Sequence, residues 1–323
     1  MTKRALICGI SGQDGAYLAQ LLLAKGYEVF GTSRDAEVGS FSRLKALGIE
    51  RDVELRSMTL TDFRSVLQIL SDLKPDEIYN LAGQTSVGLS FAQPVETFES
   101  VTFGTLNLLE VMRYLDTGAR LYQASSGECY GETTENAPAR EGSAFHPRSP
   151  YGVAKAAAYW TVVNYREAYG LHACSGILFN HESPLRPERF VTRKIVRAAA
   201  EIARGERKTL ELGNLDIVRD WGWAPEYVEA MWLMLQHDKA EDFLIATGQS
   251  NSLEDFTRKV FESHGLDWRE HVVSNADLLR ASDIATSYAD PSKADRVLGW
   301  KSRTDFDGMI TRLVDAEREG RCM

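Results

Sequence analysis

With 323 residues, 44% of them apolar, and no run near eighteen consecutive apolar side chains, the chain has material for a large core and none for a membrane span. A net charge of −9 argues against general nucleic-acid binding, so an anionic ligand needs a basic pocket of its own. Cys8, Cys129, Cys174 and Cys322 form no Cys-x-x-Cys pair and the six histidines no metal-ligand spacing, so packing thiols and no metal centre are expected, in a chain whose short apolar start points to the cytoplasm.

Residues 3–9 form a short apolar run broken by Gly9-Ile-Ser-Gly12-Gln13-Asp14-Gly15, after which Tyr17, Leu18, Leu21 and Leu22 repeat at helical spacing. This is a strand, a tight turn and a helix. The G-x-x-G-x-x-G spacing lets a helix amino terminus approach a pyrophosphate. The next strand, 27–32, ends at Ser33-Arg34, where an acidic residue would favour NAD; Arg34 favours the 2′-phosphate of NADP, with Asp35 beside it.

Strands at 53–57 and 76–81 enclose a helix that Asp62 caps, and a long helix over 94–114 leads into a strand at 120–124. The alternation predicts an α/β protein with a Rossmann-like, doubly wound parallel sheet that binds ligands at the carboxyl ends of its strands. Those ends carry Leu81 to Ser86, Ser125 to Glu128, and Asn180-His181-Glu182. Pro150 suits a helix start, and Tyr151 and Lys155, four apart, share a face on which the ammonium would favour the phenolate. With Ser126 and Glu128 they make a set able to deprotonate an alcohol, hold its oxygen and take a second proton from carbon.

After a strand at 172–179 the composition changes. Arg186, Arg189, Arg193, Lys194 and Arg197 fall within twelve residues and Arg219 follows in Arg-Asp-Trp-Gly, a basic pocket for a diphosphate. Helices are expected at 223–236, 253–264 and 305–319, with a strand at 243–246. The division is a dinucleotide-binding domain over 1–180, to which later segments return, and a smaller α/β substrate domain over 181–323.

Several stretches carry a family resemblance: Gly9 to Leu18, Tyr79 to Gln84, Pro147 to Lys155, Leu-Phe-Asn-His-Glu-Ser-Pro from Leu178, Phe-Val-Thr-Arg-Lys from Phe190, and Arg-Asp-Trp-Gly from Arg219. The chain resembles the extended short-chain dehydrogenase/reductases, and among them the GDP-mannose 4,6-dehydratases, over nearly its whole length. The resemblance implies NADP-dependent conversion of GDP-mannose to GDP-4-keto-6-deoxy-mannose, a step of deoxysugar synthesis, by a homo-oligomer, dimer or tetramer. It makes Tyr151 the base, Lys155 its partner, Ser126 the hydroxyl in the usual Thr position and Glu128 the dehydratase carboxylate. Gly9, Gly12, Gln13, Asp14, Gly15, Arg34, Leu60, Leu81, Ala82, Gln84, His181 and Arg186 then face the cofactor together with Tyr151 and Lys155. Ser86, Asn180, Glu182, Val191, Lys194, Arg219, Arg280 and Asp283 face the GDP-sugar.

Four departures stand against the family pattern: Gly127 for Ser, Met58-Thr59-Leu60 for Gly-Asp-Leu, an arginine-rich loop reduced to Arg34 and Arg43, and Arg280-Ala-Ser-Asp283 for Arg-Pro-Ala-Glu, followed by Ala285 for an acidic residue. They leave open a related substrate such as GDP-manno-heptose. A GDP-sugar 4-reductase or epimerase and an NADP-binding regulator are the other readings; Glu128 weighs against the former, because those reactions need no base at C5.

Overall fold

The computed structural model describes residues 2–279 and 282–322. The strands β1 (Arg4–Cys8), β2 (Glu28–Ser33), β3 (Glu54–Ser57), β4 (Glu77–Asn80), β5 (Arg120–Ser126) and β6 (Ala173–Leu178) precede β7 (Asn180–Glu182), β8 (Leu210–Leu212) and β9 (Val218–Trp223). The last are β10 (Phe243–Ile245), β11 (Ser250–Ser252) and β12 (Val272–Ser274). Seven of them form one parallel sheet in the order β10-β6-β5-β4-β1-β2-β3. The order reverses between β1 and β4, which opens a crevice at their carboxyl ends.

Both faces of this sheet are covered, so its central strands are largely buried, and most of their side chains are apolar. Leu6, Cys8, Ile78 and Leu121 pack beneath the helices Phe63–Leu73, Gly104–Leu115 and Pro150–Tyr169. Ala5, Ile7, Tyr79 and Tyr122 point the other way, onto Gln13–Ala24 and Ala224–Gln236. β10 and Ala224–Gln236, both late in the chain, thus lie with the large sheet. A third core gathers Trp221 and Trp223 of β9 with the helices Val191–Ala203, Leu253–Glu262 and Phe306–Arg318. There β9 lies between β7, parallel to it, and β11, antiparallel; β8 and β12 form a parallel pair.

Elements expected from periodicity stand within a few residues of their places, with two differences. The strand expected to stop at 124 runs on to Ser126, because Ser125 and Ser126 pair with Ile177 and Leu178. The helix expected over 94–114 contains a π-helical turn, Glu99–Phe103, between Pro94–Phe98 and Gly104–Leu115. Asp62 caps its helix as read, accepting from Arg64 N, and Ser252 caps Leu253–Glu262, accepting from Asp255 N. Among the described residues no helix is long and apolar enough to cross a membrane.

Candidate active site

The glycine-rich turn sits where β1 feeds the first helix. Gly9 has φ +85°, and a Cβ there would lie 2.9 Å from the Ala82 backbone, so only glycine lets β1 and β4 approach this closely. Gly12 differs: its φ of −75° suits any residue, and a Cβ would meet only Gly9 O, at 3.3 Å. That contact with a backbone carbonyl is already crowded, and the uncapped helix amino terminus beside it presents N–H groups to an anion, so these residues fit a dinucleotide phosphate. Arg43 braces the turn by donating to Ser11 O at 2.9 Å and Leu185 O at 2.8 Å. In the sequence it stood out only as the remnant of a basic loop.

Asp14 and His181 join this turn to β7. His181 Nε2 lies 2.9 Å from Asp14 Oδ2, and Nδ1 lies 2.7 Å from Phe179 O. Both ring nitrogens face acceptors, so the imidazolium satisfies both. Burial opposes that charge, but the Asp14 carboxylate outweighs it and raises the His181 pKa. Burial works against the Asp14 carboxylate as well, and His181 overcomes it to hold the carboxyl below its usual range. Gln13 is bonded through its amide to His181 O and Ser183 Oγ.

At the end of β5 the backbone turns through Gly127–Cys129, with Glu128 N donating to Ser126 Oγ at 3.3 Å. Ser149 caps the next helix by accepting from Gly152 N, which sets Tyr151 in its first turn. Ser126, Glu128, Tyr151 and Lys155 line one cleft of about 400 Å³. Lys155, 4% exposed, donates to Ala124 O at 2.8 Å and lies 5.7 Å from the Tyr151 ring centre. Burial pushes its amine down to about 8. The Tyr151 phenol moves opposite to the sequence expectation: burial raises it first, a hydrogen bond with Ser126 counters, and Cys129 and Glu128 add to the rise.

The facing wall is basic. Arg186, Arg189, Lys194 and Arg219 line the cleft, with Asn180 and Val191 between them. Arg186, Lys194 and Arg219 are each held by the protein. Glu182 pairs with Arg186 at 3.2 Å and accepts from Thr192 Oγ1 at 2.6 Å, so this carboxylate positions an arginine that also lies over Phe190. Lys194 donates to Glu211 O at 2.7 Å. Arg219, 5% exposed, donates to Val218 O and Ala285 O and pairs with Asp283 at 3.2 Å. Its neighbour Asp220 is fully buried and bound by Thr247 and Gly248; burial pushes its carboxyl up to about 6.

Other sequence candidates lie at the margins. Leu81 and Ser86 line the cleft, Ser86 also capping a short helix at Leu89 N. Gln84 donates to Ser86 O, and Ala82 backs Gly9. Gly15 packs on the Gly9 carbonyl. Leu60 belongs to the core and accepts from Asn107, apart from the cleft-lining residues. Arg34 is exposed just past β2, and Arg280 lies outside the described residues. Thr85, read with the polar strand ends, lines the cleft, whereas sequence reading missed Asn214 and Ser287, cleft-lining polar groups on loops without a motif.

A family model described as GDP-mannose 4,6 dehydratase matches residues 6–313. GDP-mannose 4,6 dehydratase 2 of Arabidopsis thaliana is 45% identical over 98% of this chain and 87% of its own length. The GDP-mannose 4,6-dehydratase of Vibrio cholerae is 44% identical over 97% and 93%. Among solved structures, Thermus thermophilus UDP-glucose 4-epimerase, in complex with NAD, shares the fold with a TM-score of 0.84 and 28% identity, over 98% of this chain and 99% of its own. The chain belongs to the GDP-mannose 4,6-dehydratase family of hydro-lyases.

Proposed function

We propose that this chain removes water from GDP-mannose to give GDP-4-keto-6-deoxy-mannose, in the cytoplasm, with NADP as its cofactor. The observation that carries the reading is the convergence of Ser126, Glu128, Tyr151 and Lys155 on one cleft whose other wall is cationic. NADP, when bound, supplies the acceptor and later donor of a hydride. Tyr151 takes the proton of the C4 hydroxyl, and Ser126 holds the oxygen as it becomes a carbonyl. The ketone acidifies C5, from which Glu128 takes a proton; Glu128 then protonates the hydroxyl leaving C6, and the proton held by Tyr151 goes to C5, which resets both groups. Arg219 and Lys194 hold the diphosphate, while Gly12 and the first turn of Gln13–Ala24 hold that of the cofactor, with Arg34 placed towards the 2′-phosphate.

The active form is a homo-oligomer built at least from dimers. Val95 and Phe103, and Val153 and Trp160 on the adjoining helix Pro150–Tyr169, are large apolar side chains left exposed, and a second copy would cover them. The function is tested by incubating the protein with NADP⁺ and either GDP-mannose or GDP-manno-heptose and weighing the products. Loss of one water from GDP-mannose is expected. Loss from the heptose sugar alone, or a product of unchanged mass, would replace this reading.

A further inference from the structure

Under Lys155 the sheet buries polar side chains among apolar ones. Asn80 and Gln123 lie opposite each other on β4 and β5, each 1% exposed, and Thr105 above them is fully buried. Asn80 Nδ2 donates to Gln123 Oε1 at 2.8 Å. The Thr105 hydroxyl lies 3.1 Å from that oxygen and 2.7 Å from Val101 O. Gln123 Nε2 donates to Ala124 O at 3.2 Å, the same carbonyl that receives Lys155 Nζ. Val101 belongs to the π-helical turn, whose Thr102 donates to Ala154 O at 3.0 Å, one residue before Lys155. One segment therefore ties both the carbonyl and the helix on which Lys155 depends. Apolar side chains would fill this volume without desolvating three polar groups.

We infer that Gln123 is a positioning residue: with Asn80 and Thr105 it fixes the Ala124 carbonyl on which Lys155 docks and competes with the Lys155 ammonium for it. The inference rests on the reading of Lys155 as part of the catalytic set. Two donors meeting at one oxygen place the positive end of the amide dipole beside the ammonium, which disfavours the charged amine. The other titratable groups facing Lys155 are Cys129, Tyr151 and Asp14. Burial holds the Cys129 thiol at about 12 and raises the Tyr151 phenol, while His181 keeps Asp14 a carboxylate. None of the three changes charge where Lys155 does, at about 8. His181 titrates behind Asp14 in wild type and variant alike, so their difference isolates Gln123.

Protein labelled with ¹³C at the lysine ε-carbon, with Lys155→Met to assign the signal, gives the Lys155 midpoint by NMR without cofactor or substrate. Gln123→Leu removes the donor and keeps the bulk; it is expected to move that midpoint upward by roughly half to one pH unit, and the matching limb of the turnover profile with it. An unmoved midpoint beside a lowered melting temperature would make Gln123 a packing residue and overturn the inference. Should Gln123→Leu fail to fold, Thr105→Val is measured instead: an upward midpoint supports the inference and an unmoved one overturns it. Since no substrate is present, a chain unable to dehydrate GDP-mannose would still decide the matter.

Discussion

The two walls of the cleft are built on different principles. On one, Ser126, Glu128, Tyr151 and Lys155 stand at a strand end and in a first helical turn, placed by the register of β5 on β6 and by the Ser149 cap. On the other, Arg186, Lys194 and Arg219 are placed by partners: Glu182, the Glu211 carbonyl, and Asp283 with two carbonyls. The reacting groups bond close by, Lys155 to Ala124 O and Ser126 Oγ to Glu128 N, so strand register and the helix start hold them in place. A guanidinium held by a carboxylate must share or exchange that partner when a phosphate arrives, so the basic wall can adjust to its ligand while the reacting wall stays fixed.

Substitutions on the reacting wall should have the largest effects. Glu128→Gln is expected to lower water loss on the order of 10² to 10⁴-fold while permitting oxidation at C4, seen as NADPH absorbance without exchange of the C5 hydrogen into deuterated solvent. Tyr151→Phe should give neither signal. Rapid C5 exchange in Glu128→Gln would move the base to another residue. On the basic wall, Arg219→Ala should weaken GDP on the order of 10-fold to 10²-fold in calorimetry and leave NADP binding unchanged. Unchanged GDP affinity would mean that this arginine serves the fold alone, through Val218 O and Ala285 O.

Two smaller effects probe the departures from the family pattern. A Cβ on Gly127 would lie 2.9 Å from the Phe179 ring, so the place of the usual serine is already filled. Gly127→Ser should cost about 1 to 3 kcal/mol of stability in urea unfolding, with no gain in turnover; faster turnover would show that a hydroxyl there is wanted. Arg34→Ala, at an exposed position, should weaken NADP by about 1 kcal/mol, and less at high salt. Equal binding of NADP by Arg34→Ala and wild type would remove Arg34 from the site.

The reacting wall was legible in the sequence because a strand end and a first helical turn leave local marks: Ser125 to Glu128 after an apolar run, Pro150 before Tyr151, and four residues from Tyr151 to Lys155. The large sheet was legible for the same reason, since apolar runs alternate with helical periodicity. The basic wall was legible only as composition. That Glu182 would be occupied by Thr192 and Arg186, or that Arg43 would brace a turn thirty residues earlier, depends on contacts between distant segments that no spacing records. The rise of the Tyr151 phenol was hidden likewise, because the spacing to Lys155 is local whereas burial is set by the whole fold.

The least of the expected effects tests the joint where the walls meet, Asp14 against His181. His181 has its pKa raised above the ordinary 6.5, so its contribution to stability is complete below that value and is lost as pH rises through the folded-state pKa. Asp14 has its pKa lowered below 3.8, so its contribution is complete above that value and is lost as pH falls through the folded-state pKa. The pair therefore stabilises most between about pH 4 and pH 6.5. Urea unfolding of wild type and His181→Asn across that window and up to about pH 9 should show a difference that shrinks on the alkaline side. His181 also stacks on Tyr227, with ring centres 4.6 Å apart, and that contact does not depend on pH through the aspartate. A difference constant from acid to alkali would assign the joint to stacking and leave the carboxylate no share in holding the glycine-rich turn against β7.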